Sequence, residues 1–174
     1  MGWKNIQQAF EIKRHIVTAY PGGVAIGTAS IPNLIQIDGQ SGTVMPHEFW
    51  PMFAENQYPA IQAAGAQELR ELISTPDHFD IFIPVYTFEH GKIIQRFCEK
   101  PGYPNVTHDG HLMHENLYST EYDLVLQYAQ RIINLEVKCA KSQVEKLEDE
   151  LGKWRDKLTE VTGLEKSLGS EQRS

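Results

Sequence analysis

The chain has 174 residues and a formal net charge of −7, with 41% hydrophobic and 22% charged residues, a composition typical of a globular protein with one core. It contains no cluster of lysines and arginines, which argues against nucleic acid as the main ligand. Its first residues lack a signal-peptide pattern, and no segment approaches the roughly 18 apolar residues of a membrane span. Two cysteines in dissimilar surroundings favour a reducing compartment. We therefore expect a cytoplasmic protein that does not enter a membrane.

Up to residue 118, turns rich in glycine and proline separate short runs of strand-forming residues. Segments 15–20 and 24–28 flank Pro21-Gly22-Gly23, which indicates a hairpin. Further strands are expected at 34–38, 43–45, 80–88 and 92–98, with Pro84 restricting its strand to an edge or a bulge. The pattern predicts a small, mostly antiparallel sheet of five or six strands.

Residues 55–74 have apolar side chains at helical spacing, and Pro76 ends the run. This helix is expected to cover one face of the sheet, so residues 1–118 form an α+β domain. The proline-rich segment before it predicts an aromatic loop. Such a loop caps a core or offers a binding surface, and in the second case Phe49, Trp50 and Phe53 are the partner-binding candidates.

After Ser119-Thr120 the pattern changes to one long helix, residues 119–163, followed by a flexible tail, residues 164–174. Thr120 can cap the helix, and no proline interrupts it. Apolar residues recur at alternating steps of four and three, as in a coiled coil. We call these nine residues the seam: Ile133, Val137, Ala140, Val144, Leu147, Leu151, Trp154, Leu158 and Val161.

A helix of about 40 residues is about 60 Å long, more than the front domain can cover. A second copy of the chain, a different partner, or the helix folded back near Gly152 would have to bury its far half. We expect a homo-oligomer, because Gly152 falls at an exposed position of the repeat. Glu150 and Arg155 have the spacing of an interhelical ion pair. The expected oligomer interface contains Val144, Leu147, Leu151, Trp154, Leu158 and Val161.

The segment HDGHLMH places His108, His111 and His114 three residues apart. These residue types bind zinc and related metals, but steps of three converge on neither a strand nor a helix. Thr107 and the Asp109-Gly110 pair are instead typical of a fixed turn. We expect a shaped connector with no metal and no other cofactor, and keep the metal site as the alternative.

No motif of a nucleophilic enzyme or of a phosphate-binding loop is present. Cys98 ends an apolar strand and is expected to be a buried thiol. We therefore expect a protein that is not an enzyme and has no catalytic residues. The alternative is a metal-dependent hydrolase or nucleic-acid-processing enzyme that uses the histidine segment.

The stretch PGYPNVTHDGHLMHENLYST at 101–120, followed by EYDLVLQYAQRIINLEVK, resembles a segment of uncharacterised small proteins encoded by tailed phages and prophages. The opening GWKNIQQAFEIKRHIV is also similar. Those proteins pair a β-rich front half containing THDG with a charged C-terminal helix. The resemblance implies an acidic phage accessory protein that binds and inhibits or modulates a host protein, such as part of a defence system, in the bacterial cytoplasm. A structural phage component is a further alternative.

Overall fold

The computed structural model describes the backbone of residues 2–171 and the side chains of residues 2–166. It is α+β with a long C-terminal helix, as the sequence predicts. The elements in chain order are α1 (Trp3–Ala9), β1 (Ile16–Tyr20), β2 (Gly23–Gly27), β3 (Ile35–Asp38), β4 (Val44–Pro46), α2 (Phe53–Gln57), α3 (Pro59–Ala63), α4 (Ala66–Ser74), β5 (Ile83–Glu89), β6 (Lys92–Cys98), β7 (Tyr118–Ser119) and α5 (Tyr122–Glu171).

The first sheet is antiparallel with the strand order β1-β2-β3-β4. Tyr20 pairs with Gly23 across a two-residue turn in which Gly22 has φ +104°, a backbone conformation that glycine adopts readily. Its branched apolar side chains alternate inward and are fully buried, which makes this sheet one wall of the main core. The inward residues are Val17, Val24, Ile26, Ile35 and Ile37.

The second sheet is also antiparallel, with the order β6-β5-β7. The sequence predicted a single sheet, and this prediction is wrong because the strands form two sheets. Helices α2 to α4 separate the two groups of strands along the chain, and β5 pairs with β7 from the segment expected to be a connector. Pro84 predicted an edge strand or a bulge, but β5 is the central strand of this sheet, so that prediction is wrong for the strand as a whole. Strand β7 pairs only with Tyr86 and Thr87, so Pro84, which cannot donate a backbone hydrogen bond, lies outside that pairing.

The single predicted helix at 55–74 is three short helices, α2, α3 and α4. Pro59 begins α3, and Gly65 precedes α4. Helix α2 also begins at Phe53, inside the segment for which the prolines predicted a loop. As predicted, this helical segment packs on the first sheet, because Ile61 and Leu69 belong to the same buried cluster as its strands. Helix α1, which the sequence analysis did not predict, adds Trp3 and Ile6 to that cluster.

The chain divides into two compact units, Met1–Gln127 and Tyr128–Ser174. We call the first the front unit. It includes β7 and the start of α5, both beyond the expected domain boundary at residue 118. Helix α5 continues through Gly163 to Glu171, across most of the predicted flexible tail, and glycine at an exposed helix position costs only about 1 kcal/mol. Residues 172–174 of that tail lie outside the described residues.

Candidate functional site

All nine residues of the seam lie on α5 within the second unit, and their side chains are in contact with solvent. Leu147, Trp154 and Leu158 are 63%, 67% and 68% exposed. Single exposed apolar residues are common, but a continuous row of large ones marks an interaction surface. The six residues predicted to form an oligomer interface therefore lie together on one accessible helix face.

Charged residues flank the seam and restrict its apolar character to one stripe. Lys157 lies beside Trp154, with its Nζ 5.4 Å from the centre of the indole ring. A cation in this position stabilises the ring by about 0.5–1 kcal/mol at an exposed site. The helix residues on either side of the seam are mostly charged or polar, although Leu135 and Leu164 are also exposed outside it.

A second exposed apolar surface lies in the front unit. We call His47, Phe49 and Trp50 the aromatic cluster. The imidazole of His47 lies 5.7 Å from the ring of Phe49 and 5.1 Å from that of Trp50. The backbone fixes this arrangement, because the Trp50 amide donates to the His47 carbonyl at 3.0 Å and the Phe49 amide donates to His47 Nδ1 at 3.2 Å. Phe49 and Trp50 are 73% and 47% exposed, so the cluster is accessible to a partner.

Phe53, the third predicted partner-binding residue, has different surroundings. Its ring is half-buried against the main core, 5.2 Å from the imidazole of His15 and 6.4 Å from the ring of Tyr58. His15 Nδ1 and the Tyr58 hydroxyl share a 2.6 Å hydrogen bond. The structure thus joins Phe49 to Trp50 and assigns Phe53 a packing position.

The segment Thr107–Gly110 forms a tight polar turn. Thr107 is fully buried; its hydroxyl donates to Asp109 Oδ1 at 2.5 Å and accepts the His111 amide at 3.0 Å. Its own amide donates to the His111 carbonyl at 2.9 Å. These bonds between side chain and local backbone are those expected of a fixed connector.

Arg96 ties this turn to the second sheet. Its guanidinium donates to Asp109 and, at 2.8 Å, to Glu89, and its side chain is only 12% exposed. Burial, the largest single effect, lowers the pKa of Arg96, but the carboxylates of Glu89 and Asp109 outweigh it and raise that pKa. Burial and the charge of Glu89 raise the pKa of Tyr118 to about 12. The arginine therefore stays charged and holds strand and turn together.

His108 has an aromatic environment. Its ring stacks on Phe79 at 3.8 Å between centres and meets the edge of Phe82 at 4.8 Å. Burial lowers its pKa, although nearby groups, Glu99 first among them, oppose the effect. Within residues 2–166, its buried Nε2 has no hydrogen-bond partner. The His108 side chain is therefore held in place by contacts between rings.

His111 and His114 are separated from the ring environment of His108. His111 Nε2 lies 3.8 Å from Asp109, and both histidines line a cleft of about 190 Å³ beside Thr18 and Thr28. Pockets that bind small organic molecules usually measure about 300–1,000 Å³. Among the described side chains, no group of three or more His, Cys, Asp or Glu residues has the arrangement needed to hold a metal ion.

Two residues of these sites were not among the candidates predicted from the sequence. His47 organises the aromatic cluster. In the sequence it could have been recognised as a histidine two positions before Phe49, in the motif HEFW. Arg96 anchors the polar turn, and the signal was one arginine inside the apolar strand KIIQRFC. The sequence does not show which residue Arg96 contacts. Arg96 meets Asp109 only because Cys98, at the end of β6, pairs with Thr107 in the turn.

Within the described part of the chain, no helix has both the length and the apolar composition needed to cross a membrane. Cys98 is buried and Cys139 exposed, and both are free thiols. Comparisons of the chain with protein-family models, with curated proteins and with solved structures find no match.

Proposed function

We propose that this chain is a non-enzymatic, phage-encoded accessory protein that acts as a homo-oligomer. It binds a host protein of the bacterial cytoplasm, such as a component of a defence system, and modulates or inhibits that protein. The observation that carries the proposal is the exposed seam of α5. The net charge of −7 supports a protein partner over nucleic acid. The similarity of the THDG segment to phage-encoded proteins supports the phage origin.

The seam supports self-association on energetic grounds. Burying a leucine or valine side chain contributes about 1.5–3 kcal/mol relative to leaving it in water. Helices obtain most of their stability from burying an apolar face, so a seam left in water stabilises neither the helix nor the protein. A second copy brings an identical stripe, and identical surfaces form a closed two-fold contact. Each copy of the chain therefore offers the seam of another copy a matching apolar stripe.

The aromatic cluster is the proposed contact to the host protein. Aromatic residues dominate the binding energy of many protein interfaces. Because the His47 contacts already hold the two exposed rings in place, binding costs little side-chain entropy. The cluster belongs to the front unit and the seam to the second unit, so self-association and host binding can be disrupted separately.

A structural phage component is the second candidate, favoured by the same seam, which would then serve as an assembly contact. The two functions differ in where the protein is found. Mass spectrometry of purified phage particles detects a structural component in stoichiometric amounts. An accessory protein is absent from the particles and remains in the host lysate.

Light scattering coupled to size exclusion tests the oligomer. We expect the wild type to elute as a dimer or larger homo-oligomer and the double variant Leu151→Asp, Leu158→Asp to be monomeric. The control variant Ser142→Asp, Gly152→Asp introduces the same charge on α5 outside the seam, and a Cβ at Gly152 meets no atom within 4 Å. The control should keep the wild-type mass. A monomeric wild type with full helix content would refute the proposal.

A further inference from the structure

The front unit has a cleft of about 380 Å³ whose charge is opposite to that of the chain as a whole. Lys13, Arg14 and Lys100 lie around it, in a protein with a net charge of −7. Its volume falls within the range of about 300–1,000 Å³ that is typical of sites for small organic ligands. The cleft is therefore large enough for a compact ligand and carries the charge to attract an anion.

The one acidic residue that lines the cleft is already neutralised. Glu99 accepts a hydrogen bond from Lys4 Nζ at 2.7 Å. Lys4 is itself held in place, since its Nζ also donates to the His78 carbonyl at 2.9 Å and lies 4.6 Å from the centre of the Phe79 ring. Its side chain is 16% exposed, so this pair is a fixed part of the wall. Lys13 contacts a carboxylate only weakly, at 3.9 Å from the exposed Glu11.

Arg14 is one of the three cations that line the cleft. Within the described side chains, no acidic group pairs with it. Burial lowers the pKa of the neighbouring His15, and the positive charge of Arg14 lowers it further. A guanidinium presents a planar fork of donors that matches phosphate and carboxylate oxygens, and an unpaired one has its donors free.

Apolar side chains form part of the lining. Trp3 is 6% exposed, and its indole Nε1 already donates to the His108 carbonyl at 3.0 Å. Ile16, Val17 and Val106 also line the cleft. A lining that combines apolar side chains with cations suits a ligand with a compact carbon body and charged oxygens at its periphery.

We propose that this cleft binds a small organic anion with two or more phosphate or carboxylate charges, with Arg14 and Lys100 as its main contacts. All residues that line the cleft belong to the front unit, and none of them is part of the seam or of the aromatic cluster.

Calorimetric titration of the full-length protein at low ionic strength tests the site, with pyrophosphate, citrate and ADP as probes. We expect at least one probe to bind, and the variant Arg14→Ala, Lys100→Ala to weaken that binding at least about tenfold. Arg70→Ala, Lys92→Ala removes the same two charges elsewhere on the surface and should change the affinity less than about twofold. Binding of pyrophosphate and ADP alone would identify phosphate as the recognised group, and binding of citrate alone would identify carboxylate.

Two results would overturn the proposal. One is the absence of binding by the wild type for all three probes at concentrations up to about 10 mM. The other is an equal loss of affinity in both variants, since that outcome would reflect the general charge of the surface. Both variants replace exposed side chains, and matching thermal melts of the two would show that each remains folded.

Discussion

The amide of Ala19, in β1, donates a 3.0 Å hydrogen bond to the carbonyl of Gly110, in the polar turn. The two residues are in such close contact that a Cβ at Gly110 would lie 2.2 Å from the Cβ of Ala19. Gly110 also has φ +88°, a conformation that other residues adopt only with strain. This contact attaches the THDG turn to the outer strand of the first sheet, while Arg96 attaches it to the second.

Replacing Gly110 with alanine should therefore destabilise the front unit by more than about 3 kcal/mol, because steric overlap adds to backbone strain. Gly91→Ala is the matched control: Gly91 has φ +77°, but nothing lies within 4 Å of its Cβ position. The control should cost only about 1–2 kcal/mol. Urea unfolding of both variants measures the difference. Equal losses would mean that the Ala19 contact contributes nothing.

The stability of the front unit should fall in mild acid because of His108. Burial holds its pKa below the usual value, so the unfolded chain binds the proton more readily than the folded one. The stability is fully present above about pH 6.5 and declines as the pH falls below it, by at most about 1.4 kcal/mol per pH unit for this group. Replacing His108 with Phe keeps the stack on Phe79 and should reduce that decline.

Urea titrations between about pH 5 and 8 measure the effect. His15 also has a pKa lowered by burial, so some acid sensitivity should remain in the His108→Phe variant. His114→Phe, an exposed histidine outside the ring stack, is the control and should keep the wild-type dependence. The explanation fails if His108→Phe leaves the pH dependence of unfolding unchanged.

Substitutions at Phe49 and Trp50 should weaken binding to the host protein without lowering the stability of the fold. Because both rings are largely exposed, the variant Phe49→Ser, Trp50→Ser should unfold within about 0.5 kcal/mol of the wild type while losing its captured partner. Phe53→Ala should do the opposite, losing about 2–4 kcal/mol of stability because that ring packs on the core. Capture from host lysate, compared across the three proteins at equal folded concentration, measures the first effect. Unchanged capture by the double variant would exclude the aromatic cluster as the host contact.

The elements most accurately predicted from the sequence are those set by local chemistry. Strands β1 and β2 are within one residue of their expected limits because a glycine with positive φ fixes the turn between them. His90 and Gly91 both have positive φ and form the two-residue turn that joins β5 to β6. The long helix follows from a heptad pattern that is readable without any tertiary contact.

The elements that were missed depend on contacts distant in sequence. Helix α1 has only seven residues, and it is held by Trp3 and Ile6, which are buried in a core built by later elements. The division into two sheets depends on which hairpins meet, and β7 is too short to be recognised before β5 is in place. The same holds for the candidate sites: the seam was visible as a repeat, whereas the cationic cleft combines residues 13–14 with residue 100.

The last prediction concerns the extent of the front unit. A fragment ending at Gln127 should fold alone with a cooperative thermal melt, because the compact unit extends to that residue. A fragment ending at Tyr118 removes Ser119, the pairing partner of Tyr86, and Tyr122, whose ring lies 5.4 Å from the Tyr86 ring. It also removes Val125, which is 4% exposed. Losing one buried valine costs about 1.5–3 kcal/mol, so the shorter fragment should melt at a lower temperature or without cooperativity.

Circular dichroism melts of the two fragments make the comparison, and Leu124→Ser in the longer one is the control, since that side chain is 54% exposed. Identical melts for both fragments would place the boundary of the folding unit at residue 118, and the first turns of α5 would then contribute nothing to the front unit.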